Sequence, residues 1–406
     1  MELSRRAIGQ LLAGATAAIG SGQSFAQGPA SEGAAIRSRT GLAPDLLYFN
    51  AANLCPTFLA ASAAERTASA ELQADPSQES RQRFVGMAAT MRTRLGRLIN
   101  APETAISLTR NCSESNGQVV RNLPLRSGDE VVIGPENHPS NLNVWRKRAE
   151  AEGIVIKVAA VPAEPSSSQQ VLDAYLKAVT PRTRVIAISH MTNIAGLIAP
   201  VAEIGRFARS KGIWLHVDAA QTLGWMKLDM AALGCDSLAA STHKWLMGPI
   251  GGGVLYIRPE RQPELPPLLM SVNYYHSGAA TDVNGQSFEN VGQRPDAMLP
   301  GLMVALDERA AIGEARIEAV TRANATMLRR ELSAKNIRVI GSGDPDLWGP
   351  AIAAVIPGLP ERRAELWRTR RLAASGTRSG GVAALRLSPH AYNTADEIKR
   401  VAEMLA

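Results

Sequence analysis

Cysteine is scarce in this chain. Its 406 residues hold three, Cys55, Cys112 and Cys235, with no C-x-x-C spacing, which excludes a disulfide framework and a cysteine zinc site. None of the six histidines falls in an H-E-x-x-H pattern, so no metal is expected. Aromatic residues make up only 4% of the chain, and the formal charge of +7 is spread without a long basic block. A nucleic-acid groove needs both kinds of residue clustered, so no nucleic-acid partner is expected. There is no Walker-type phosphate loop. The glycine cluster Gly248-Pro249-Ile250-Gly251-Gly252-Gly253 is not a dinucleotide fingerprint either, because it precedes an apolar run instead of following one.

What is present starts at the N-terminus. Ser4-Arg5-Arg6-Ala7-Ile8 stands ahead of a mildly apolar stretch, Leu11 to Ile19, and Ser24-Phe25-Ala26 offers small residues at both key positions of a cleavage site. The stretch is too short for the roughly 20 apolar residues of a membrane span. The layout resembles a twin-arginine signal, which implies export in folded form, through the twin-arginine machinery, to the periplasm. Residues 1–26 are therefore set aside from the fold.

The remaining length suits one large domain of roughly 250 residues and a smaller one. Apolar runs recur at Ala105–Leu108, Glu130–Ile133, Ile154–Val158, Val185–Ile188, Trp214–Val217, Ser237–Ala240 and Val254–Ile257. Between several of them lie stretches of helical length, such as Asn141–Glu152, Ser168–Val179 and Val201–Lys211. This alternation predicts an α/β fold with a mostly parallel sheet covered on both faces. After the irregular stretch Ser271–Gln286 a long helix is expected from Leu302 to Ala334, then a smaller α+β domain. The expected division is 27–60 as an N-terminal segment, 61–302 as the large domain and 303–406 as the small one.

Chemistry gathers in two places. Trp214-Leu215-His216-Val217-Asp218-Ala219-Ala220-Gln221 delivers an aspartate to the C-terminal end of a strand, where α/β sheets bind ligands. A carboxylate there suits a protonated ring nitrogen. After one more strand comes Ser241-Thr242-His243-Lys244, whose lysine can form an imine with an aldehyde while Ser241 and His243 meet a phosphate. Singly, a strand-end aspartate or a lone lysine has an ordinary structural reading. The ordered combination is specific.

These residues resemble the class V aminotransferase group of fold-type I pyridoxal-phosphate enzymes, which includes cysteine desulfurases, selenocysteine lyases and isopenicillin N epimerase-like proteins. The likeness runs from about Tyr48 to Tyr392 and implies pyridoxal 5'-phosphate as cofactor and a homodimer. Lys244 matches the Schiff-base position and shuttles the proton at Cα. Asp218 faces the pyridine nitrogen, Gln221 the ring oxygen, and Ser241 and His243 the phosphate. Thr109-Arg110-Asn111-Cys112-Ser113-Glu114 resembles the G-T-T-E turn, with Cys112 and Ser113 at the phosphate and backbone N–H groups at a helix N-terminus. In Glu136-Asn137-His138-Pro139-Ser140-Asn141, His138 matches the histidine that stacks on the ring. Asn193, in Ser189-His190-Met191-Thr192-Asn193-Ile194-Ala195-Gly196, lies near the ring oxygen and the substrate carboxylate by the same likeness. Arg386, in Leu385-Arg386-Leu387-Ser388-Pro389, holds that carboxylate. Ser287-Phe288-Glu289-Asn290-Val291-Gly292-Gln293-Arg294 matches a segment that reaches the partner subunit's phosphate, with Gln293 in place of threonine. Tyr274, Tyr275 and His276 fall near the pocket mouth.

Cysteine desulfurases carry a nucleophilic cysteine ahead of the carboxylate arginine. The corresponding Ala373–Gly381 has none, so desulfuration by this loop is rejected. Transamination, epimerisation and α,β-elimination remain, all proceeding from an external aldimine at Cα. The T-R-N, H-P-S-N and R-L-S-P-H-x-Y-N-T strings are nearest the isopenicillin N epimerase-like branch, which includes exported enzymes tailoring peptide siderophores. The expectation is an aminotransferase-like enzyme acting on an amino acid or a peptide metabolite. A non-catalytic binding protein on this fold is the alternative of another class.

Overall fold

The computed structural model describes residues 29–269, 283–289 and 291–406; the leader, Tyr274, Tyr275 and His276 lie outside the described residues. A short strand, β1 (Leu47–Tyr48), precedes the strands of the main sheet: β2 (Ile106–Thr109), β3 (Glu130–Ile133), β4 (Val155–Val158), β5 (Thr183–Ser189), β6 (Trp214–Asp218), β7 (Ser237–Ser241) and β8 (Gly253–Ile257). They order as β2-β8-β7-β6-β5-β3-β4. Only the pairings of β8, with β2 and β7, are antiparallel. All residues of β2, β3, β6, β7 and β8 are buried, which is why these strands read as continuous apolar runs rather than as alternation.

The two faces of the sheet take different helices. Val131, Val185, Trp214 and Leu255 pack against Val119, Val120 and Trp145, from the helices Cys112–Asn122 and Pro139–Glu152. Ile186, Leu215, Val217 and Leu238 pack on the other side with Met91, Val171 and Ile204, from the helices Gln78–Ile99, Ser168–Ala178 and Val201–Ser210. Ser189 ends β5 beside Asp218 at the end of β6, and β7 runs two residues further, from Ala239 opposite Asp218 to Ser241. That shared edge is where the site forms.

The smaller unit has β9 (Val339–Ile340), β10 (Ile352–Ala354), β11 (Leu372–Ala373), β12 (Ser375–Ser379) and β13 (Val382–Leu387). Four of these make an antiparallel sheet, β12-β13-β10-β9. β1 pairs in parallel with β11, so Leu47 and Phe49 from the N-terminal segment join the core of the small unit.

The single helix expected from Leu302 to Ala334 is two, Met298–Ile312 and Glu314–Ala334, separated by Gly313 at φ 96°. One glycine inside a helical period does not reveal a break, but the left-handed backbone it permits ends the ladder. The first helix packs on Leu59–Ala74 of the large unit and the second on Ala395–Leu405 of the small one.

Candidate active site

Asp218 ends β6 beneath the first turn of the helix Cys112–Asn122 and is buried. Its Oδ1 accepts the backbone N–H of Ala220 at 3.0 Å and the thiol of Cys112 at 3.4 Å. Oδ2 accepts Nδ2 of Asn116 at 2.9 Å. Three donors therefore converge on one buried carboxylate.

Lys244, half-buried, projects from a turn tied down on every side. Thr242 Oγ1 donates at 3.0 Å toward the carbonyls of Pro249 and Gly252, and the Gly248 N–H returns to Thr242 O at 2.8 Å. The next residue, Trp245, is fully buried and stacked on His390 at 5.4 Å. Its carbonyl accepts from Arg309 Nη1 (3.1 Å) and His390 Nε2 (2.9 Å), and its indole N–H donates to Gln221 Oε1 (2.8 Å). Gln221 Nε2 meanwhile donates to Ala52 O at 2.9 Å, which leaves its amide one further N–H for a ligand. Trp245, Arg309 and His390 were not legible as site supports, because they come from three distant segments.

The phosphate end is the N-terminus of the helix Cys112–Asn122. Asn111 caps it by accepting from the Glu114 N–H at 2.9 Å with φ −174°, an extended backbone that needs no glycine. The Cys112 N–H donates to Ser241 Oγ at 2.8 Å, tying the helix start to the end of β7, while the Cys112 side chain turns to Asp218. Burial and the adjacent Asp218 push that thiol well up, so it stays an S–H donor. Ser113 is exposed beside this turn. His243 Nδ1 is buried without a protein partner, and burial lowers the ring's proton affinity.

His138 caps the helix Pro139–Glu152. Its Nδ1 accepts from the Ser140 N–H at 3.2 Å and lies 2.7 Å from Ser140 Oγ, so the ring proton sits on Nε2. Burial and then the charge of Lys244 lower its basicity, which keeps it neutral. Arg386, on β13, is 7% exposed. Nη1 donates to Asn193 O at 2.7 Å and Nη2 to Asn50 Oδ1 at 3.3 Å, while Nε is buried without a partner. Burial lowers its pKa to about 10. No acidic side chain pairs with it among the described residues.

Cys112, Ser113, His138, Asn193, Asp218, Gln221, Ser241, His243 and Lys244 line one cavity of about 210 Å³, with Arg386 behind Asn193. Gln293 does not join them: it is exposed, and its Oε1 accepts from Arg81. Its neighbour Glu289 serves the fold, accepting the Leu108 N–H (2.8 Å) and pairing with Arg92 and Arg294. Asn50 and Asn116 are site residues the sequence reading did not single out. Asn116 had a signal, one helical turn beyond Cys112 on the same face.

A ring nitrogen suits Asp218, a phosphate suits the helix start with Ser241 and the orphaned His243 Nδ1, and an aldehyde suits Lys244. Fold and site together define a pyridoxal-phosphate enzyme of fold-type I. The chain belongs to the class V aminotransferase family, whose model matches residues 50–401. It is 30% identical to isopenicillin N epimerase of Streptomyces clavuligerus, over 91% of this chain and 96% of that protein. A probable cysteine desulfurase of Methanothermobacter thermautotrophicus is 32% identical over 48% of this chain and 47% of that one. Among solved structures, a cystine lyase variant with glycine covalently linked to its pyridoxal-phosphate cofactor superposes with a TM-score of 0.80 at 22% identity, covering 91% of this chain and 98% of that one. The cofactor of this family is pyridoxal 5'-phosphate.

Proposed function

We propose that this enzyme binds an amino acid, free or as the terminal unit of a peptide metabolite such as a siderophore, and moves the proton at Cα in an aminotransferase-like reaction. Epimerisation or C–S elimination are the alternatives within the family. The observation that carries this reading is Arg386. A buried guanidinium without a counter-ion and with an orphaned Nε is costly unless an anion completes it, and its planar fork fits a carboxylate. Arg386 therefore orients a substrate by a free α-carboxylate, with Asn193 held against it. Pyridoxal phosphate, when bound, supplies an electrophilic aldehyde carbon and an electron-withdrawing ring. Lys244 Nζ accepts and returns the Cα proton from a turn that cannot drift. His138 covers the cavity as a neutral ring.

Two observations support a reaction other than desulfuration. β12 and β13 form a tight hairpin through Gly380 and Gly381 without a thiol. Cys55, Cys112 and Cys235 are all buried, and burial pushes each thiol up, that of Cys235 to about 12.

In Arg386→Ala the KM for a free amino acid should rise roughly 30-fold or more, as when one partner of a buried charge pair is removed. The visible spectrum of the loaded protein should stay as it is. A collapsed spectrum would make Arg386 structural instead.

The paired Arg5-Arg6 and the Ala26 site support export through the twin-arginine route to the periplasm, and the family likeness supports a homodimer. Residues 1–30 fused to a reporter should export it, and deletion of Arg5 and Arg6 should stop this; export by the deleted form would refute the route. A sedimentation mass of one chain would refute the dimer.

A further inference from the structure

Asp218 stands at the end of a buried line of hydrogen bonds that begins at the far end of its own strand. Trp214 Nε1 donates to Ser237 Oγ on β7 at 2.8 Å. Ser237 Oγ lies 2.8 Å from His216 Nδ1, and His216 Nε2 lies 2.9 Å from Asn116 Oδ1. Asn116 Nδ2 then donates to Asp218 Oδ2 at 2.9 Å. The exposures of Trp214, Ser237, His216, Asn116 and Asp218 are 2%, 0%, 0%, 0% and 4%, so water cannot replace any link.

Chemistry forces the direction of every bond. An indole N–H only donates, and an amide oxygen only accepts, so the proton of His216 sits on Nε2. Nδ1 is then the acceptor, and Ser237 gives it the hydroxyl proton. One tautomer and one amide orientation satisfy the whole line, and each donor points toward the carboxylate. A charged His216 would break this polarity; burial prevents it by lowering the imidazole pKa to about 4, although Asp218 pulls the other way.

We propose that Trp214, Ser237, His216 and Asn116 form a positioning relay that holds Asp218 as an acceptor-only carboxylate and so keeps the proton on the ring nitrogen it faces. The proposal rests on the pyridoxal-phosphate reading of the site. Asn116 and His216 are positioning residues, since neither reaches the cofactor except through Asp218. Other groups facing Asp218 are the Ala220 N–H, the Cys112 thiol from the helix start and His138 from the loop after β3, with Lys244, from the turn after β7, lining the same cavity. Replacing Asn116 also removes its 3.6 Å contact to the Cys112 sulfur and leaves the Ala220 N–H on Oδ1 in place. Without the amide donor Asp218 Oδ2 loses its side-chain partner, so the carboxylate is no longer fixed against the ring nitrogen and holds the ring proton less firmly.

The test uses full-length protein loaded with pyridoxal phosphate carrying 15N in the ring, read by NMR. In wild type the ring nitrogen should show the protonated shift. In Asn116→Leu it should move toward the unprotonated value by at least about a third of the full span. Cofactor affinity of the apoprotein should weaken about 10-fold, as expected for one hydrogen bond to a charged group. Asn116→Gln, which keeps a donor, should recover most of the shift. Because Asn116→Leu risks misfolding, His216→Phe provides a second readout: it leaves Asn116 Oδ1 without its donor, loosens the amide that holds Asp218 Oδ2, and should move the resonance the same way. An unmoved resonance in a folded variant at either position overturns the relay. Wild type that takes up no labelled cofactor would instead sink the cofactor assignment itself.

Discussion

Lys244→Ala, incubated with pyridoxal phosphate, should show no borohydride-sensitive visible band, and its turnover should fall by at least about a thousandfold. The estimate combines loss of the covalent anchor with loss of the base at Cα, the latter alone contributing about 10²–10⁴ in typical enzymes. The effect should be chemical and not structural. The turn that carries Lys244 is held by Thr242, by Trp245 between Gln221 and His390, and by Arg309, none of which is altered. Lys244→Arg separates charge from nucleophilicity: it keeps the cation and should be equally inactive. In wild type, borohydride should fix the cofactor to the peptide containing Lys244. A variant that kept a borohydride-sensitive band would mean that another amine is the anchor.

Asp218→Asn should be nearly as damaging, with turnover reduced about 10²–10³-fold, the scale for removing one preorganised electrostatic partner from an enclosed site. The hydrogen bonds explain why so small a change matters. Asp218 faces three donors: the Ala220 N–H, the Asn116 amide and the Cys112 thiol. An asparagine there must turn its NH2 toward one of them or toward the ring N–H, so two donors meet in a buried place. Cofactor retention should fall together with turnover, measured by dialysis and absorbance. Unchanged activity in Asp218→Asn would remove the aspartate from its assigned role.

The match between sequence and structure differs by element. β3 spans Glu130–Ile133 in both readings, and the other main-sheet strands agree within one or two residues; for β2, β3, β6, β7 and β8 the reason is burial on both faces, which leaves uninterrupted apolar runs. The break at Gly313 was not legible, since a single glycine between two helical stretches is no stop signal by itself, whereas the structure sets it at positive φ and packs the two halves on different units. The pairing of β1 with β11 was equally hidden, as it joins residues more than 300 positions apart.

Local pattern alone determined the α/β class, the strand that delivers Asp218 and the turn that presents Lys244, because period, strand ends and neighbouring residue types are short-range properties. Tertiary structure decided the rest: that Cys112 turns its thiol to Asp218, that Gln221 is locked between Ala52 and Trp245, and that Arg386 is buried with an orphaned Nε. Each of these depends on groups brought together from distant segments, and on burial, which is a property of the packed whole. No spacing along the chain records either one.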